Sequence, residues 1–66
     1  MIAVIIHKDE NTKSYANIKY HSYEIKSGFL FIECEDESIR LKDVRTYAIF
    51  ADNGTELLKV TLENTE

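Results

Sequence analysis

The chain's single cysteine, Cys34, lies among four carboxylates in the segment FIECEDE, residues 31–37. If this segment is a strand, Cys34 points to one face and Glu33 and Glu35 point to the other, because side chains alternate along a strand. The other two acids belong to the following turn, where carboxylates are solvated and discourage edge-to-edge pairing. Hard cations need several convergent oxygens. We therefore interpret the segment as a strand end and expect no metal ion or other cofactor.

A histidine offers a second candidate for chemistry. If Ser27 and Gly28 form a two-residue hairpin loop, His21 lies opposite Cys34, and a histidine beside a thiol can create a nucleophile. A catalytic dyad also needs an orienting group and an oxyanion hole, and no Gly-rich or nucleophile-elbow motif supplies them. His7 would complete a set of zinc ligands in kind, yet no HxH or CxxC spacing supports such a site. We favour a buried thiol packed beside a histidine and expect no enzyme.

Size and charge narrow the functional class. With 66 residues and a net charge of −4, the chain is one acidic domain at most. A domain of this size buries only about 60% of its unfolded surface and often needs a staple or a partner. One cysteine excludes an internal disulfide, which favours a reduced, cytoplasmic setting, and no apolar run reaches transmembrane length. Twelve acidic residues against eight basic ones argue against sequence-independent nucleic-acid binding, which needs a basic face.

Short runs of β-branched and aromatic residues, separated by polar turns and free of proline, predict an all-β fold. We expect a single domain over residues 1–66, an antiparallel meander of about five to six strands forming a curled sheet or small barrel. The first strand covers about residues 1–8 and precedes a turn at 9–12. Residues 14–20 are predicted as strand, although Asn11 or Thr12 could instead cap one or two helical turns. Residues 42–44 are expected to form a tight turn or a single 3₁₀ turn.

Three hairpins fix the predicted registers. Their two-residue loops are Ser27-Gly28, Asp36-Glu37 and Asn53-Gly54, the last being the preferred type I′ pair. Each register gives one face that is apolar throughout, which a slip of one residue would destroy. The expected facing pairs are Ile25 and Leu30, Tyr23 and Ile32, His21 and Cys34, then Cys34 and Ile39, Ile32 and Leu41, Glu33 and Arg40, then Ile49 and Leu58, Tyr47 and Val60, Phe50 and Leu57.

The two faces of these strands predict a core and an interaction surface. The predicted core consists of Ile2, Val4, Ile6, Tyr23, Ile25, Leu30, Ile32, Cys34, Ile39, Leu41, Val44, Tyr47, Ile49, Leu58, Val60 and Leu62. Aromatic and charged side chains on the outward faces are typical anchors of protein interfaces. The residues expected to bind a partner are Tyr20, Phe29, Phe31, Glu33, Arg40, Lys42, Phe50 and Leu57.

A faint internal repeat has a period of 26 residues. It aligns Asn17-Ile18-Lys19 with Asp43-Val44-Arg45, Asp9-Glu10 with Glu35-Asp36, and Gly28 with Gly54. Only the glycine is identical, so chance and a shared hairpin rhythm explain the match as well as a duplication does. The period is too weak, and the copies too few, for a solenoid.

The segments YEIKSGFLFIE and IRLKDVRTYAIF, within residues 14–50, resemble short uncharacterised proteins carried by bacteriophages and prophages of Gram-positive bacteria. The resemblance implies a small accessory protein, in some cases one that binds a host protein, and it transfers no catalytic residue. Our first hypothesis is a non-enzymatic module that binds a host protein or itself as a homodimer, away from any membrane. A barrel that binds single-stranded nucleic acid through Lys19, Arg40, Lys42 and Arg45 is the second. A small enzyme using cysteine and histidine is the third.

Overall fold

The computed structural model describes residues 1–62 and consists of β-strands joined by short turns. Within that range no helix is long and apolar enough to cross a membrane. The strands of the described chain are β1 (Ile2–His7), β2 (Thr12–Tyr15), β3 (Ile18–Glu24), β4 (Phe29–Cys34), β5 (Ser38–Leu41), β6 (Val44–Phe50) and β7 (Glu56–Thr61). The all-β prediction is confirmed, whereas the last four residues of the expected domain, 63–66, lie outside the described residues.

The strands form two antiparallel sheets. One has four strands in the order β2-β1-β6-β7, and the other has three in the order β3-β4-β5. The three-stranded sheet is a meander, as predicted, but the pairing of β1 with β6 joins strands that are distant in sequence. Over residues 1–62 the two sheets do not close into a barrel. Residues 14–20 are strand rather than helix, interrupted at residues 16–17, where Asn17 has a φ of 58°.

The core lies between the sheets and corrects the predicted face of β1. Ala3 and Ile5 are fully buried, whereas Ile2, Val4 and Ile6 are only partly buried on the outer side. MIAVII is apolar at every position, so hydrophobicity alone does not show which face of this strand is buried. The core cluster comprises Ala3, Ile5, Ile18, Leu30, Ile32, Cys34, Leu41, Val44, Tyr47 and Ile49, with Met1, Tyr15, Tyr23, Ile39, Val60 and Leu62 packed against it.

Two further core predictions are wrong. Ile25 is 84% exposed because it belongs to the loop between β3 and β4. Leu58 is 38% exposed although it pairs with the buried Ile49. Its strand, β7, is the fourth strand of the larger sheet, so the three-stranded sheet provides no strand to cover it.

The first two hairpin registers are displaced by two residues from those predicted. The β3–β4 loop has four residues, 25–28, so that Tyr23 faces Leu30 and His21 faces Ile32. The same displacement in the next hairpin places Arg40 opposite Phe31. A shift of two keeps every side chain on its predicted face, because the side-chain period of a strand is two. Only the facing partners change. The expected pairs of His21 with Cys34, Cys34 with Ile39, Ile32 with Leu41, Glu33 with Arg40, Ile25 with Leu30 and Tyr23 with Ile32 are therefore not formed.

The last hairpin confirms most of its predicted register. Ile49 faces Leu58 as expected, and Tyr47 likewise faces Val60. The loop differs from the expected type I′ pair, since Gly54 (φ 93°) has positive φ and Asn53 does not. Ala51 accepts a hydrogen bond from the Gly54 amide at 2.9 Å, which defines a tight turn followed by a left-handed glycine. The register shifts next to Phe50, which faces Glu56 and not Leu57.

The internal repeat is visible in the backbone as two strand triplets, β1–β3 and β4–β6, which we call the first and second units. Adding 26 to the bounds of β2 gives those of β5, and adding 26 to the bounds of β3 gives those of β6. Strand β1 maps onto β4 with an offset of 27, so that Ala3 corresponds to Leu30 and Ile5 to Ile32. Every pair between β1 and β2 then reproduces a pair between β4 and β5.

The same equivalence holds where the units exchange strands. Pairs between β1 and β6 map onto pairs between β4 and β3, including the bulges at Arg45 and Lys19. Val44 precedes one bulge and Ile18 precedes the other. Both side chains point into the core. Asn17 and Asp43 precede these residues, and each has a φ of 58°. The structure thus supports a duplication with exchanged strands, to which β7 is an addition.

Candidate functional site

The outer surface of the three-stranded sheet carries a cluster of aromatic and charged side chains, which we call the aromatic face. It consists of Tyr20, Phe29, Phe31 and Arg40, with Glu24 and Glu33 beside them. Their outward orientation follows from the buried alternate residues of β4, Leu30 and Ile32. Tyr20 is 58% exposed, and both phenylalanines are partly buried. The predicted outward placement of these residues is confirmed.

The aromatic face is held together by a contact within β4 and by a contact between β4 and β5. The Phe29 and Phe31 ring centroids lie 6.2 Å apart with the rings tilted by 44°. The Arg40 guanidinium carbon lies 4.9 Å from the Phe29 ring centroid. A cation over an aromatic ring contributes about 0.5–1 kcal/mol at an exposed site. The arginine that was expected to pair with Glu33 therefore stacks on an aromatic ring, and its long side chain covers part of the apolar surface.

Acidic groups surround this cluster. Glu24 faces Phe29 across the strands, and Glu33 is exposed opposite Ser38. The turn between β4 and β5 adds three consecutive acids, residues 35–37. Arg40 provides the cation among them. The aromatic face is therefore an apolar patch inside a mainly acidic border.

The remaining predicted partner-binding residues lie elsewhere. Phe50 is on the outer surface of the four-stranded sheet with Ile2, Val4 and Ile6, a surface we call the aliphatic face. Leu57 is 55% exposed on the last strand, next to the register shift opposite Phe50. Lys42 follows β5 and lines a cleft at one end of the molecule. The eight residues predicted from the sequence therefore do not form a single surface.

The thiol and the histidines do not form the site that was considered for chemistry. Cys34 faces Ile18, whereas His21 faces Ile32 and packs edge-on against Tyr47 with centroids 6.2 Å apart. Burial raises the pKa of Cys34, and the charges of Glu37 and Asp36 raise it further. A raised pKa disfavours the reactive thiolate. His7 belongs to the other sheet, and across residues 1–62 no three of the His, Cys, Asp and Glu side chains are grouped to hold a metal ion.

The basic residues of the nucleic-acid hypothesis are dispersed. Arg45 pairs with Glu10 at 3.6 Å on the four-stranded sheet. Lys42 is in the cleft at the end of the molecule, and Lys19 is the bulged residue of β3. Only Arg40 lies on the aromatic face. A continuous basic groove for a nucleic-acid backbone does not form from these four residues.

The cleft itself was not found from the sequence. It has a volume of about 400 Å³ and lies where the β1–β2 turn, the β3–β4 loop and the β5–β6 turn meet. Each contributes one lysine, Lys8, Lys26 and Lys42 respectively. We call this site the lysine cleft. The three residues are far apart in sequence. The β3–β4 loop and the β5–β6 turn meet at one end of the three-stranded sheet, and the pairing of β1 with β6 brings the β1–β2 turn to them.

The sequence matches no protein-family model, and neither the curated proteins nor the solved structures include a significant match.

Proposed function

We propose that the protein is a small non-enzymatic module that binds another protein through its aromatic face. The observation that carries this proposal is the outward-facing cluster of Tyr20, Phe29, Phe31 and Arg40 on one sheet surface. Aromatic residues and arginine are the side chains most enriched at the energetic centres of protein interfaces. The stacked rings and guanidinium are already in contact in the free protein, so little side-chain entropy is lost on binding.

Charge favours a different protein over a second copy of this chain. A twofold homodimer brings the same patch of two copies together. On this face that would oppose the acidic borders formed by Glu24, Glu33 and residues 35–37. A partner with an apolar centre and a basic border avoids this repulsion and gains steering toward the acidic chain. We propose such a partner, a host protein in the cytoplasm if the resemblance to phage accessory proteins reflects the origin of the chain.

The open edge of β3 offers a second contact for the same partner. In the four-stranded sheet, β7 lies beside β6, whereas within residues 1–62 no strand occupies the equivalent position beside β3. An extended segment of a partner can add to such an edge through main-chain hydrogen bonds. It would lie next to Tyr20, which is on the outward surface of β3. The strand edge and the aromatic face then form one continuous binding surface.

The repeat provides a matched pair of variants for the test. Phe31 and Val4 occupy equivalent positions on the outer surfaces of the two sheets, the first on the aromatic face and the second on the aliphatic face. Phe31→Ala should weaken capture of a partner by about 2 kcal/mol, the scale of an aromatic anchor, and leave the fold intact. Val4→Ala should leave capture unchanged. The measurement is quantitative pull-down from lysate of a Gram-positive bacterium, followed by titration with the purified captured protein.

Sedimentation and thermal melting of the same proteins complete the test. Wild type and both variants should sediment as folded monomers in the absence of a partner. A wild-type dimer that Phe31→Ala dissociates would contradict the proposed partner and identify the aromatic face as a homodimer interface. Equal loss of capture by both variants, with both still folded, would contradict the assignment of binding to this face.

A further inference from the structure

We propose that the lysine cleft is a binding site for a small molecule that carries an oligophosphate group, such as a nucleoside di- or triphosphate. The site is independent of the aromatic face. Lys8, Lys26 and Lys42 line it together with Tyr23, Ser27 and Gly28. Its volume of about 400 Å³ is within the usual range of small-molecule sites.

Positive charge is concentrated in this cleft, although the chain as a whole is negatively charged. The protein has a net charge of −4, yet three of its six lysines line one cleft, and among residues 1–62 the one acidic residue that lines it is Asp43. The ion pairs formed within residues 1–62 involve the N-terminus and Arg45, and none involves these three lysines. Three lysines that line one cleft offer several ammonium groups to a single anion, and an anion with adjacent phosphates can accept from more than one of them. Lysine is a common ligand of phosphate oxygens in proteins.

The equivalent end of the molecule shows that the lysines are not required by the fold. Under the repeat, Lys8 corresponds to Glu35, Lys26 to Asp52, and Lys42 to Ala16. The turns at residues 16–17 and 42–43 have the same length, whereas the other two pairs of turns differ by one residue. Two acids and an alanine occupy the corresponding places at the other end, so the three lysines are a property of one end.

Comparison of the equivalent residues Gly28 and Met1 explains why the cleft is open. Gly28 precedes β4 at the position where Met1 precedes β1. Met1 packs against the core, and its ammonium group pairs with Asp52 at 3.1 Å, so the equivalent place at that end holds a side chain and a neutralised carboxylate. A Cβ atom added at Gly28 would meet no atom within 4 Å. The glycine therefore leaves space beside the three lysines, with its backbone accessible to a ligand.

Two features favour a nucleotide over a bare anion. Tyr23 and Ile25 line the cleft beside the lysines, and Ile25 is 84% exposed. The lining is mainly polar, and these two side chains are the groups in it that the base or ribose of a nucleotide would contact. Free inorganic triphosphate shares the oligophosphate chemistry but cannot make these contacts.

His7 holds one of the lysines in place. The Nδ1–H of His7 donates to the carbonyl oxygen of Lys42 at 3.0 Å and lies 3.2 Å from that of Asp43. The carbonyl oxygen of Asp43 also accepts from the amide of Lys8 at 2.8 Å. Two of the three lysine-bearing turns are thus joined through their backbones. His7 is a positioning residue for the cleft.

The chain's two glycines make the binding test direct, because Gly28 lines the cleft and Gly54 lies in the corresponding loop at the other end. In ¹H–¹⁵N correlation spectra of the full chain, ATP should shift the amide signals of Gly28 and Ser27 in a saturable manner. The Gly54 signal should not move. Shifts of both glycines of equal size, or no shift of Gly28 at millimolar ATP, would overturn the proposal.

Charge-neutralising variants establish which lysines bind. Lys26→Gln and Lys42→Gln should each weaken ATP binding by about tenfold, the loss expected for one charged hydrogen bond. Lys59→Gln, on the last strand and outside the cleft, should leave affinity unchanged, and all three variants should melt close to wild type. Equal weakening by Lys59→Gln would show a nonspecific charge effect and overturn the site.

Comparing the affinities of ATP, inorganic triphosphate and AMP shows which part of the ligand the cleft recognises. ATP binding more tightly than inorganic triphosphate would support nucleotide recognition through Tyr23 and Ile25, whereas equal affinities would support recognition of the oligophosphate alone. AMP should bind at least about tenfold more weakly than ATP, since it lacks the adjacent phosphates. If AMP binds as tightly as ATP, the lysines do not select an oligophosphate and the proposal is wrong.

Discussion

The first unit, β1–β3, and the second unit, β4–β6, follow the same backbone path but present different outer surfaces. The first unit places Ile2, Val4 and Ile6 where the second unit has Phe29, Phe31 and Glu33. The strand pairs, the two bulges and the residues with φ of 58° are nevertheless shared. In this chain the backbone path is therefore compatible with an aliphatic outer surface as well as with an aromatic and charged one.

Inward positions vary less in character than outward ones. Ala3 and Leu30 are equivalent, and both are fully buried. Ile5 and Ile32 are also equivalent, and neither is more than 1% exposed. At such positions the close packing of the core limits the choice of side chain. Outward positions have no such limit, and the candidate binding surface is found there.

The largest effect expected on the shared framework comes from its buried isoleucines. Ile5→Ala and Ile32→Ala should each lower the free energy of unfolding by about 2–5 kcal/mol, because each removes buried methyl groups and leaves a cavity. The two losses should agree within about 1 kcal/mol if the sites are equivalent in energy as well as in geometry. Urea denaturation of both variants measures this. A loss confined to one of them would show that the two halves of the core are unequal.

A smaller effect is expected at the two positive-φ residues that precede the inward-turned Ile18 and Val44. Asn17→Ala and Asp43→Ala should each cost about 1 kcal/mol, because a Cβ without a local polar group is disfavoured in the left-handed region. Asn17→Gly and Asp43→Gly are the matched controls and should be close to neutral. Thermal melting of the four variants provides the comparison. If the glycine variants lose as much as the alanine variants, the Asn and Asp side chains themselves stabilise the turns.

The smallest effect at neutral pH concerns Cys34, which occupies in the second unit the position that His7 occupies in the first. Burial and the neighbouring acids raise the pKa of Cys34, so the native state favours the protonated thiol. Its contribution to stability is full below the ordinary thiol pKa, about 8.5, and is lost as pH rises through the raised native value. Urea denaturation from pH 7 to pH 10 should therefore show a decline at the alkaline end. Cys34→Ala should remove that part of the decline.

Tyr47 gives the control for that titration. Its pKa is raised by burial and by the neighbouring Tyr23, so its own loss of stability begins at higher pH than that of the thiol. Tyr47→Phe should remove the later part only. Thiol reagents should also label Cys34 slowly in the native protein and quickly in urea. Rapid native labelling at pH 7 would contradict the burial of this side chain.

The sequence was sufficient for the strands and for the faces of β4, β5 and β6, because alternation and turn residues are local signals. It was insufficient for the loop lengths. A glycine at position 28 is compatible with a two-residue loop and with the four-residue loop observed, and both keep Leu30 and Ile32 inward. The face of β1 was wrong because every residue of MIAVII is apolar, so alternation contains no information there.

Of the two candidate sites, one was predicted from local sequence signals and the other was not. Tyr20, Phe29, Phe31 and Arg40 lie on adjacent strands, so hairpin reasoning was enough to place them on one surface. The lysine cleft depends on turns from both units. No local signal indicates that β1 pairs with β6, and without that pairing Lys8 does not meet Lys26 and Lys42.

The exchange of strands between the units has a consequence for synthesis of the chain on the ribosome. Strand β1 is made well before its central partner, β6, which begins at Val44 and ends at Phe50. Until then β1 has only the short β2 beside it, and an isolated two-stranded hairpin is marginal in water. The nascent chain must therefore keep MIAVII exposed until β6 has emerged. We expect the larger sheet to form only after that point, at the modest rate typical of sheets built from distant segments.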